Sequence, residues 1–260
     1  MKKLFVFITI FIALFLVLLF RTNIQDLALE WEKNGLPEET RIVPTPTTAK
    51  SRLPSPSTIK PAEINLAVPL MPQAPYADWS LPYQEACEEA SAILVDRFYK
   101  NQPVAPEDVK QEILKLVEWE KNKFGYYFHT TAAETATILK QYFGYRRVDV
   151  LRDITIDDIK AHLLAGRPVI VPLAGRLLGN PYYTQPGPIY HMLVIKGFTK
   201  DGKFITNDVG TKRGQNYAYD GNVLFSAIHD APTGGDGWNV ADVEAYVKTG
   251  KRVIVVVYPN

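Results

Sequence analysis

Apolar residues recur at helical spacing through the first half of the predicted folded part of the chain. A helix is predicted to start at Tyr83, with one apolar face formed by Ala86, Ala90, Ile93, Leu94 and Phe98. A second helix is predicted to begin at Pro106, since proline suits a first helical turn. A third covers residues 131–142 and opens with capping-box spacing, and a fourth covers residues 156–165.

Strand patterns precede and follow these helices. The predicted strands cover residues 64–68, 168–172, 191–198, 203–207 and 252–258. Every segment after Gly166 is predicted to be strand or turn, and the third and fourth strands form a hairpin across residues 199–202. Helices followed by strands predict an α+β fold, with N-terminal helices packed on a C-terminal antiparallel sheet.

The N-terminus carries a long apolar stretch. Lys2 and Lys3 precede residues 4–20, which are apolar except for one threonine. At 1.5 Å per residue this stretch spans about 25 Å, near the short end of what crosses a hydrocarbon core of roughly 30 Å. Because small residues for cleavage are missing, residues 1–21 are predicted to be a signal anchor, with a cleaved signal peptide as the alternative. The lysines favour a cytoplasmic N-terminus, so the rest of the chain is predicted to lie outside the cytoplasm.

Two further regions follow this predicted transmembrane helix. Residues 22–61 are predicted to contain a short juxtamembrane helix at 23–33 and a spacer at 37–61. The spacer is rich in Pro, Thr and Ser, a composition typical of extended, semi-rigid chains. The folded domain is then predicted to cover residues 62–260, about 200 residues, enough to bury a core without disulfides.

The composition argues against several classes of function. The chain has 29 basic and 28 acidic residues, so no basic face argues for a nucleic-acid partner. No phosphate-binding loop motif is present, and no nucleotide is predicted. A single cysteine cannot form an internal disulfide or a thiolate zinc cluster, and the histidines lack metal-ligand spacing. We therefore predict neither a metal nor a cofactor.

That single cysteine, Cys87, stands near the start of a predicted helix. A helix N-terminus and a nearby imidazolium both stabilise a thiolate. His191 opens a predicted strand, and the following hairpin brings Asp208 close to it. A cysteine, a histidine and a carboxylate on separate elements are what nucleophilic catalysis requires. Asn207 is the fallback for the carboxylate.

Each of these residues also has a structural interpretation. Cys87 could be a small buried hydrophobic residue, and Asp208 an ordinary turn residue. Glu88 and Glu89 directly follow the cysteine, and they would raise the thiol pKa if they faced it.

The motifs around these residues resemble those of a known family. They are residues 69–79 with Gln73, Cys87-Glu-Glu-Ala-Ser91, Gly166-Arg-Pro-Val-Ile170, Tyr190-His191-Met-Leu-Val194 and Asn207-Asp208-x-Gly210-Thr211. In this order they resemble the bacteriocin-processing (double-glycine leader) cysteine peptidase domain. They are most similar to its stand-alone bacterial relatives in the papain-like superfamily. The resemblance covers residues 64–258.

The resemblance implies a papain-like fold and a role for each residue. Cys87 would be the nucleophile, His191 the general base and Asp208 the group that orients it. An upstream glutamine would help to form the oxyanion hole. The family commonly has glycine after the cysteine and glutamine six residues before it, where this chain has Glu88 and Leu81. Gln73 is therefore assigned to the oxyanion hole.

The sequence thus predicts a membrane-anchored, extracytoplasmic cysteine hydrolase that cleaves peptide or amide bonds through a thioester. Trp79, Gln84 and Tyr190 are the predicted substrate-binding residues. Other aromatic residues, Tyr76, Tyr182 and Tyr183, are further candidates to line the cleft or to pack. Two alternatives remain open: an inactive papain-like binding module tethered at the cell surface, and an acyltransferase that uses the same three catalytic residues.

Overall fold

The computed structural model describes residues 24–42, 62–235, 238 and 240–260. The chain divides into two compact units, Met1–Leu36 and Pro37–Asn260. In the first unit, residues 24–34 form a helix, α1. The predicted signal anchor, residues 1–21, lies outside the described residues, as does the spacer from residue 43 to residue 61. Among the described helices, none combines the length and apolar composition needed to span a bilayer.

Four helices open the second unit, as the periodicity predicts. They are α2 (Cys87–Lys100), α3 (Pro106–Phe124), α4 (Ala132–Gln141) and α5 (Ile156–Leu164). Capping boxes begin α4 and α5, and each satisfies free N–H groups of the first turn. Tyr83–Glu85 form a short 3-10 helix, and α2 begins only at Cys87 because Ala86 leaves the helical region (φ −101°, ψ 31°).

The predicted antiparallel sheet is confirmed, and it has seven strands. These are β1 (Ile64–Asn65), β2 (Arg147–Arg152), β3 (Val169–Ala174), β4 (Tyr190–Phe198), β5 (Lys203–Asn207), β6 (Tyr217–Asp220) and β7 (Val253–Tyr258). Their order is β2-β7-β3-β4-β5-β6, with β1 paired to β4, and each of these pairs is antiparallel. The C-terminal strand therefore inserts between two strands that precede it in the chain.

The prediction that only strands and turns follow Gly166 was wrong. Gly175–Leu178 form a 3-10 helix, and α6 (Gly221–Ala227) and α7 (Val243–Val247) are short helices. Side chains of Asp220 and Asp242 cap the two α-helices by accepting main-chain N–H bonds, which stabilises a helix start where periodicity is too short to detect.

Residues 37–42, predicted to start the spacer, belong to the second unit and pair with the segment around β1. The main-chain N–H of Thr40 donates to the oxygen of Asn65 at 2.7 Å, and Thr40 accepts from Ala67 at 2.9 Å. On the same segment, Glu39 forms an ion pair with Lys196 of β4. The Lys196 side chain is fully buried, so this ion pair places a charge of the segment against the sheet.

The core lies between the helices and the sheet, with β4 at its centre. All nine residues of β4 are buried, and α2 packs against this strand. Ser91 of α2 donates its hydroxyl to the main-chain oxygen of Met192 at 3.3 Å. The first turns of α2 are thus fixed to the part of β4 that carries His191.

Candidate active site

Cys87 is the first residue of α2, and its side chain lies against β4. The main-chain N–H of Met192, the residue after His191, hydrogen-bonds to the sulfur. Together with the Ser91 contact, this bond places Cys87 beside the strand position that follows the histidine. The cysteine is 7% exposed, so the helix start and the strand enclose its thiol.

The surroundings of the sulfur favour the protonated thiol. Cys87 Sγ donates to Glu88 Oε2 at 2.9 Å. Burial raises the pKa of the Cys87 thiol well above its ordinary value, and the charges of Glu88 and Glu89 raise it further. The hydrogen bond from the Met192 amide lowers this pKa, but by less. Cys87 and His191 are both among the described residues, and no hydrogen bond joins the sulfur to the His191 ring. Of the two glutamates that follow the cysteine, Glu88 therefore contacts the thiol, and Glu89 acts on it through its charge.

His191 and Asp208 form a buried pair. His191 Nε2 lies 2.8 Å from Asp208 Oδ1, and the two side chains are 2% and 0% exposed. The β4–β5 hairpin brings them together, because Asp208 directly follows β5. Since Asp208 occupies Nε2, Nδ1 is the ring nitrogen left for other chemistry.

Gly210 makes room for the histidine ring. A Cβ atom on Gly210 would lie 2.8 Å from His191 Cε1. A Cβ atom on Gly175 would instead lie 2.7 Å from the main-chain oxygen of Pro188 and 3.1 Å from His191 Cβ. Gly210 belongs to the predicted motif after Asp208, and the structure gives the motif a steric reason: any larger residue would displace the ring.

Asp208 accepts further hydrogen bonds that the sequence did not indicate. Its Oδ2 accepts from Tyr183 at 2.5 Å, Tyr219 at 2.6 Å and Asn180 at 3.3 Å, and its Oδ1 accepts from the Gly210 N–H at 3.0 Å. Burial alone would raise the pKa of Asp208, but His191 and the two tyrosines outweigh it and hold the pKa below its ordinary value. Gly210 belongs to the motif after Asp208, but the three side-chain donors lie 11 to 28 residues from Asp208, at positions that no spacing revealed.

Gln73, the oxyanion candidate, and Asn207, the fallback for the carboxylate, both donate hydrogen bonds to main-chain oxygens. Gln73 is buried, and its Nε2 donates to the main-chain oxygens of Tyr83 at 3.0 Å and Gln84 at 2.9 Å. Both amide hydrogens are therefore engaged just before Cys87, and the oxyanion role of Gln73 stays a prediction. Asn207 Nδ2 donates to the oxygens of Val68 and Pro69, so Asp208, not Asn207, contacts the histidine.

The predicted substrate-binding residues are differently placed. Trp79 is 42% exposed in the segment before α2. Gln84 is exposed and donates to Glu85 Oε1 at 3.2 Å. Tyr190 is 4% exposed and donates its hydroxyl to the Thr130 main-chain oxygen at 3.1 Å. Trp79 and Gln84 are thus accessible to a ligand, whereas the hydroxyl of Tyr190 is engaged inside the protein.

Three buried glutamates lie behind the cysteine. Glu88, Glu89 and Glu120 are each at most 1% exposed. Burial raises the pKa of Glu120 to about 8, and burial together with the charge of Glu120 raises the pKa of Glu89 well above its ordinary value. The four carboxyl oxygens of Glu89 and Glu120 are buried without a hydrogen-bond partner among the described residues, and burial without donors favours the protonated carboxyl groups. Within the described residues, no cluster of three acidic, His or Cys side chains is arranged to hold a metal.

An α+β domain whose helix starts at a buried cysteine, beside a sheet that carries a histidine–aspartate pair, is the architecture that the papain-like resemblance predicts. Residues 65–231 match the model of the Peptidase_C39 like family. This match covers more than half of the chain, so the protein belongs to the Peptidase_C39 like family and carries a papain-like, C39-type domain. The predicted resemblance is confirmed.

Two solved structures are similar to this chain. One is described as a C39-like peptidase from Bacillus anthracis; it is 12% identical, with a TM-score of 0.44 over 76% of this chain and 98% of that one. The other is prointerpain A from Prevotella intermedia, 17% identical, with a TM-score of 0.29 over 49% of this chain and 32% of that one. No curated protein matches the chain.

Proposed function

We propose that the protein is a cysteine hydrolase that cleaves peptide or amide bonds through a thioester on Cys87. The observation that carries this proposal is the buried His191–Asp208 pair, 2.8 Å apart, on the hairpin against which Cys87 packs. Membership of a C39-like peptidase family supports a peptide as the substrate. A histidine oriented by an acid is the partner that a nucleophilic cysteine requires.

The proposed reaction assigns one step to each group. Nδ1 of His191 takes the proton from Cys87, and the sulfur attacks the carbonyl carbon of the scissile bond. Main-chain N–H groups of the first turn of α2, which a helix leaves without intrahelical partners, would receive the oxyanion. The imidazolium gives its proton to the departing amine. Water then attacks the thioester, giving its proton back to His191 and releasing the acid and the free thiol.

This sequence requires the thiol to change its hydrogen-bond partner. In the structure the thiol donates to Glu88, so attack begins when that bond is exchanged for one to His191. Substrate entry at the start of α2 is the event that we propose drives this exchange.

Membrane anchoring and an extracytoplasmic location are also part of the proposal. They are supported by the apolar stretch at residues 4–20, with Lys2 and Lys3 before it. Fractionation of cells that express the full chain, with protease added from outside, tests this part separately from the chemistry.

The test of the chemistry is hydrolysis of a mixed peptide library, followed by mass spectrometry. We expect Cys87→Ala and His191→Ala to abolish product formation. His229→Gln should retain it, because the ring of His229 bonds to the Gly250 oxygen and not to the proposed site. Full activity in Cys87→Ala would sink the proposal. Circular dichroism checks that each variant is folded.

The contact between Cys87 and Glu88 favours a second candidate, an inactive binding module tethered at the cell surface. A thiol that donates to a buried carboxylate is a poor nucleophile, because the thiolate is the reactive species. Iodoacetamide labelling as a function of pH separates the two candidates. An enzyme labels at Cys87 with an apparent pKa well below that of a free thiol, whereas a binding module labels only at strongly alkaline pH.

A further inference from the structure

One buried carboxylate, that of Asp208, accepts five hydrogen bonds. Its two oxygens divide the donors between them. Oδ1 bonds to His191 Nε2 and to the Gly210 N–H, whereas Oδ2 bonds to Tyr183, Tyr219 and Asn180. Because the oxygens have different partners, rotation of the carboxylate would break bonds on both sides.

The Oδ2 donors come from separate parts of the chain. Tyr183 and Asn180 lie between the 3-10 helix Gly175–Leu178 and β4, and Tyr219 lies on β6. Asn180 also donates to the hydroxyl of Tyr219 at 2.7 Å, which leaves that hydroxyl's own hydrogen for Asp208. The Tyr183 ring packs edge-on against His191, with centroids 5.6 Å apart. The same tyrosine therefore contacts both members of the pair.

We propose that Tyr183 and Tyr219 are positioning residues that hold Asp208 as an ionised acceptor and so fix His191 with its proton on Nε2. This role rests on the proposed function, in which Nδ1 must be free to take the proton of Cys87. The two phenols donate to Oδ2 and leave Oδ1 directed at the ring. An Nε2–H that donates to Oδ1 is the tautomer with its lone pair on Nδ1.

The charge of Asp208 depends on these phenols. The titratable groups that contact its carboxylate are His191 on β4, Tyr219 on β6, and Tyr183 in the segment before β4. In a buried site a carboxylate without donors takes up a proton, because burial penalises the charged form. Burial raises the pKa of both tyrosines well above their ordinary value, so they stay protonated as donors across the range in which a cysteine hydrolase works.

The test uses Tyr183→Phe, Tyr219→Phe and the double variant, which keep both rings and remove only the hydroxyls. We expect each single variant to lose about tenfold in kcat/KM, since a hydrogen bond to a charged group is lost, and the acidic limb of its pH profile to move to higher pH. The matched control is Tyr145→Phe. Its buried hydroxyl donates to the Asp96 carboxylate at 3.1 Å on another part of the domain, so it reports the general cost of deleting such a bond.

A second readout does not need activity. Nitrogen-15 NMR of labelled histidine reports which ring nitrogen carries the proton, and His191→Gln identifies the His191 signals. We expect the wild type and Tyr145→Phe to show Nε2–H, and the tyrosine variants to show a mixture of tautomers. If Tyr183→Phe and Tyr219→Phe keep the wild-type tautomer and pH profile, the positioning role is wrong.

The two proposals fail in different ways. Hydrolysis that survives in Cys87→Ala overturns the proposed function, and the NMR result still decides the role of the tyrosines. Loss of hydrolysis in Cys87→Ala with unchanged tyrosine variants overturns the positioning role alone. Should the double variant unfold, the two single variants carry the comparison.

Discussion

Cys87 Sγ donates a hydrogen bond to Oε2 of Glu88 at 2.9 Å, so the proposed nucleophile is bonded to the residue that follows it. Glu88 is 1% exposed, and its charge adds to burial in raising the pKa of the thiol. In this arrangement the family's usual glycine is replaced by a group that opposes thiolate formation. The contact makes Glu88 the first residue to change.

We expect Glu88→Gln to make Cys87 more reactive. Burial and the charge of Glu89 raise the pKa of Glu88 well above its ordinary value, so its charge opposes thiolate formation at the alkaline pH where both groups titrate. The amide keeps the shape of the carboxylate and cannot ionise, so the pKa of the thiol falls and a larger fraction is thiolate at that pH. The rate of iodoacetamide labelling should rise by about tenfold. Intact-mass spectrometry over a range of pH measures it.

The control for this change is Glu118→Gln, because Glu118 is an exposed carboxylate on α3. Its labelling rate should equal that of the wild type. An unchanged rate in Glu88→Gln would mean that burial, and not the neighbouring charge, sets the reactivity of Cys87.

Much of the fold could be predicted from local signals. The helix that begins at Pro106 (α3) and the helix that ends at Gln141 (α4) follow from apolar periodicity and capping residues, which depend on neighbours in the sequence. α6 is only seven residues long, so the apolar pattern after its capping residue, Asp220, is too short to indicate a helix. The insertion of β7 between β2 and β3 depends on contacts between distant segments, which no local pattern encodes.

The site divides in the same way. His191 and Asp208 could be paired from the sequence because a short hairpin joins them. Tyr219 could not, since its hydroxyl reaches Asp208 only after β6 pairs with β5. The burial of Glu120 could not be predicted either, because glutamate is usually exposed and its burial requires tertiary contacts.

Stability should fall with rising pH above neutrality because of Glu120. Burial raises its pKa from 4.5 to about 8, so the folded state holds this proton more tightly than the unfolded state, and the stabilisation is lost as pH rises through that window. His162, with a pKa lowered by burial from 6.5 to about 4, titrates between those values, and burial raises the pKa of Asp230 to about 6. Above about pH 6.5 neither contributes a slope.

We therefore expect the free energy of unfolding to decrease between about pH 6.5 and about pH 8, with Glu120 contributing at most about 1.4 kcal/mol per pH unit and Glu88 and Glu89, whose pKa values burial also raises, adding to the slope. Urea denaturation at several pH values measures this slope. Glu120→Gln should make it shallower, because the amide does not titrate, and Glu118→Gln should leave it unchanged. A slope that Glu120→Gln does not alter would assign the proton to another group.

The ion pair of Glu39 with Lys196 should stabilise the second unit. Lys196 is fully buried and also donates to Asn216 Oδ1 at 2.7 Å. Removing its partner in Glu39→Ala leaves a buried charge without a counter-ion, so we expect a loss of about 1–3 kcal/mol in urea denaturation. Adding Lys196→Met to that variant should recover most of the loss, since the unpaired charge is then absent. No recovery would contradict the electrostatic explanation.

Gly210→Ala should disable the site without unfolding the protein. The added Cβ would lie 2.8 Å from Cε1 of His191 and 3.2 Å from its Nε2, so the ring must shift from its position against Asp208. Displacements of about 1 Å in an active site cost about a hundredfold in rate, and we expect a loss of that order in kcat/KM. The control is Gly202→Ala, at φ +89° in the hairpin turn with nothing within 4 Å: it strains the backbone far from the ring and should lower stability while hydrolysis persists. Equal activity in the two variants would show that the position of His191 does not limit the reaction.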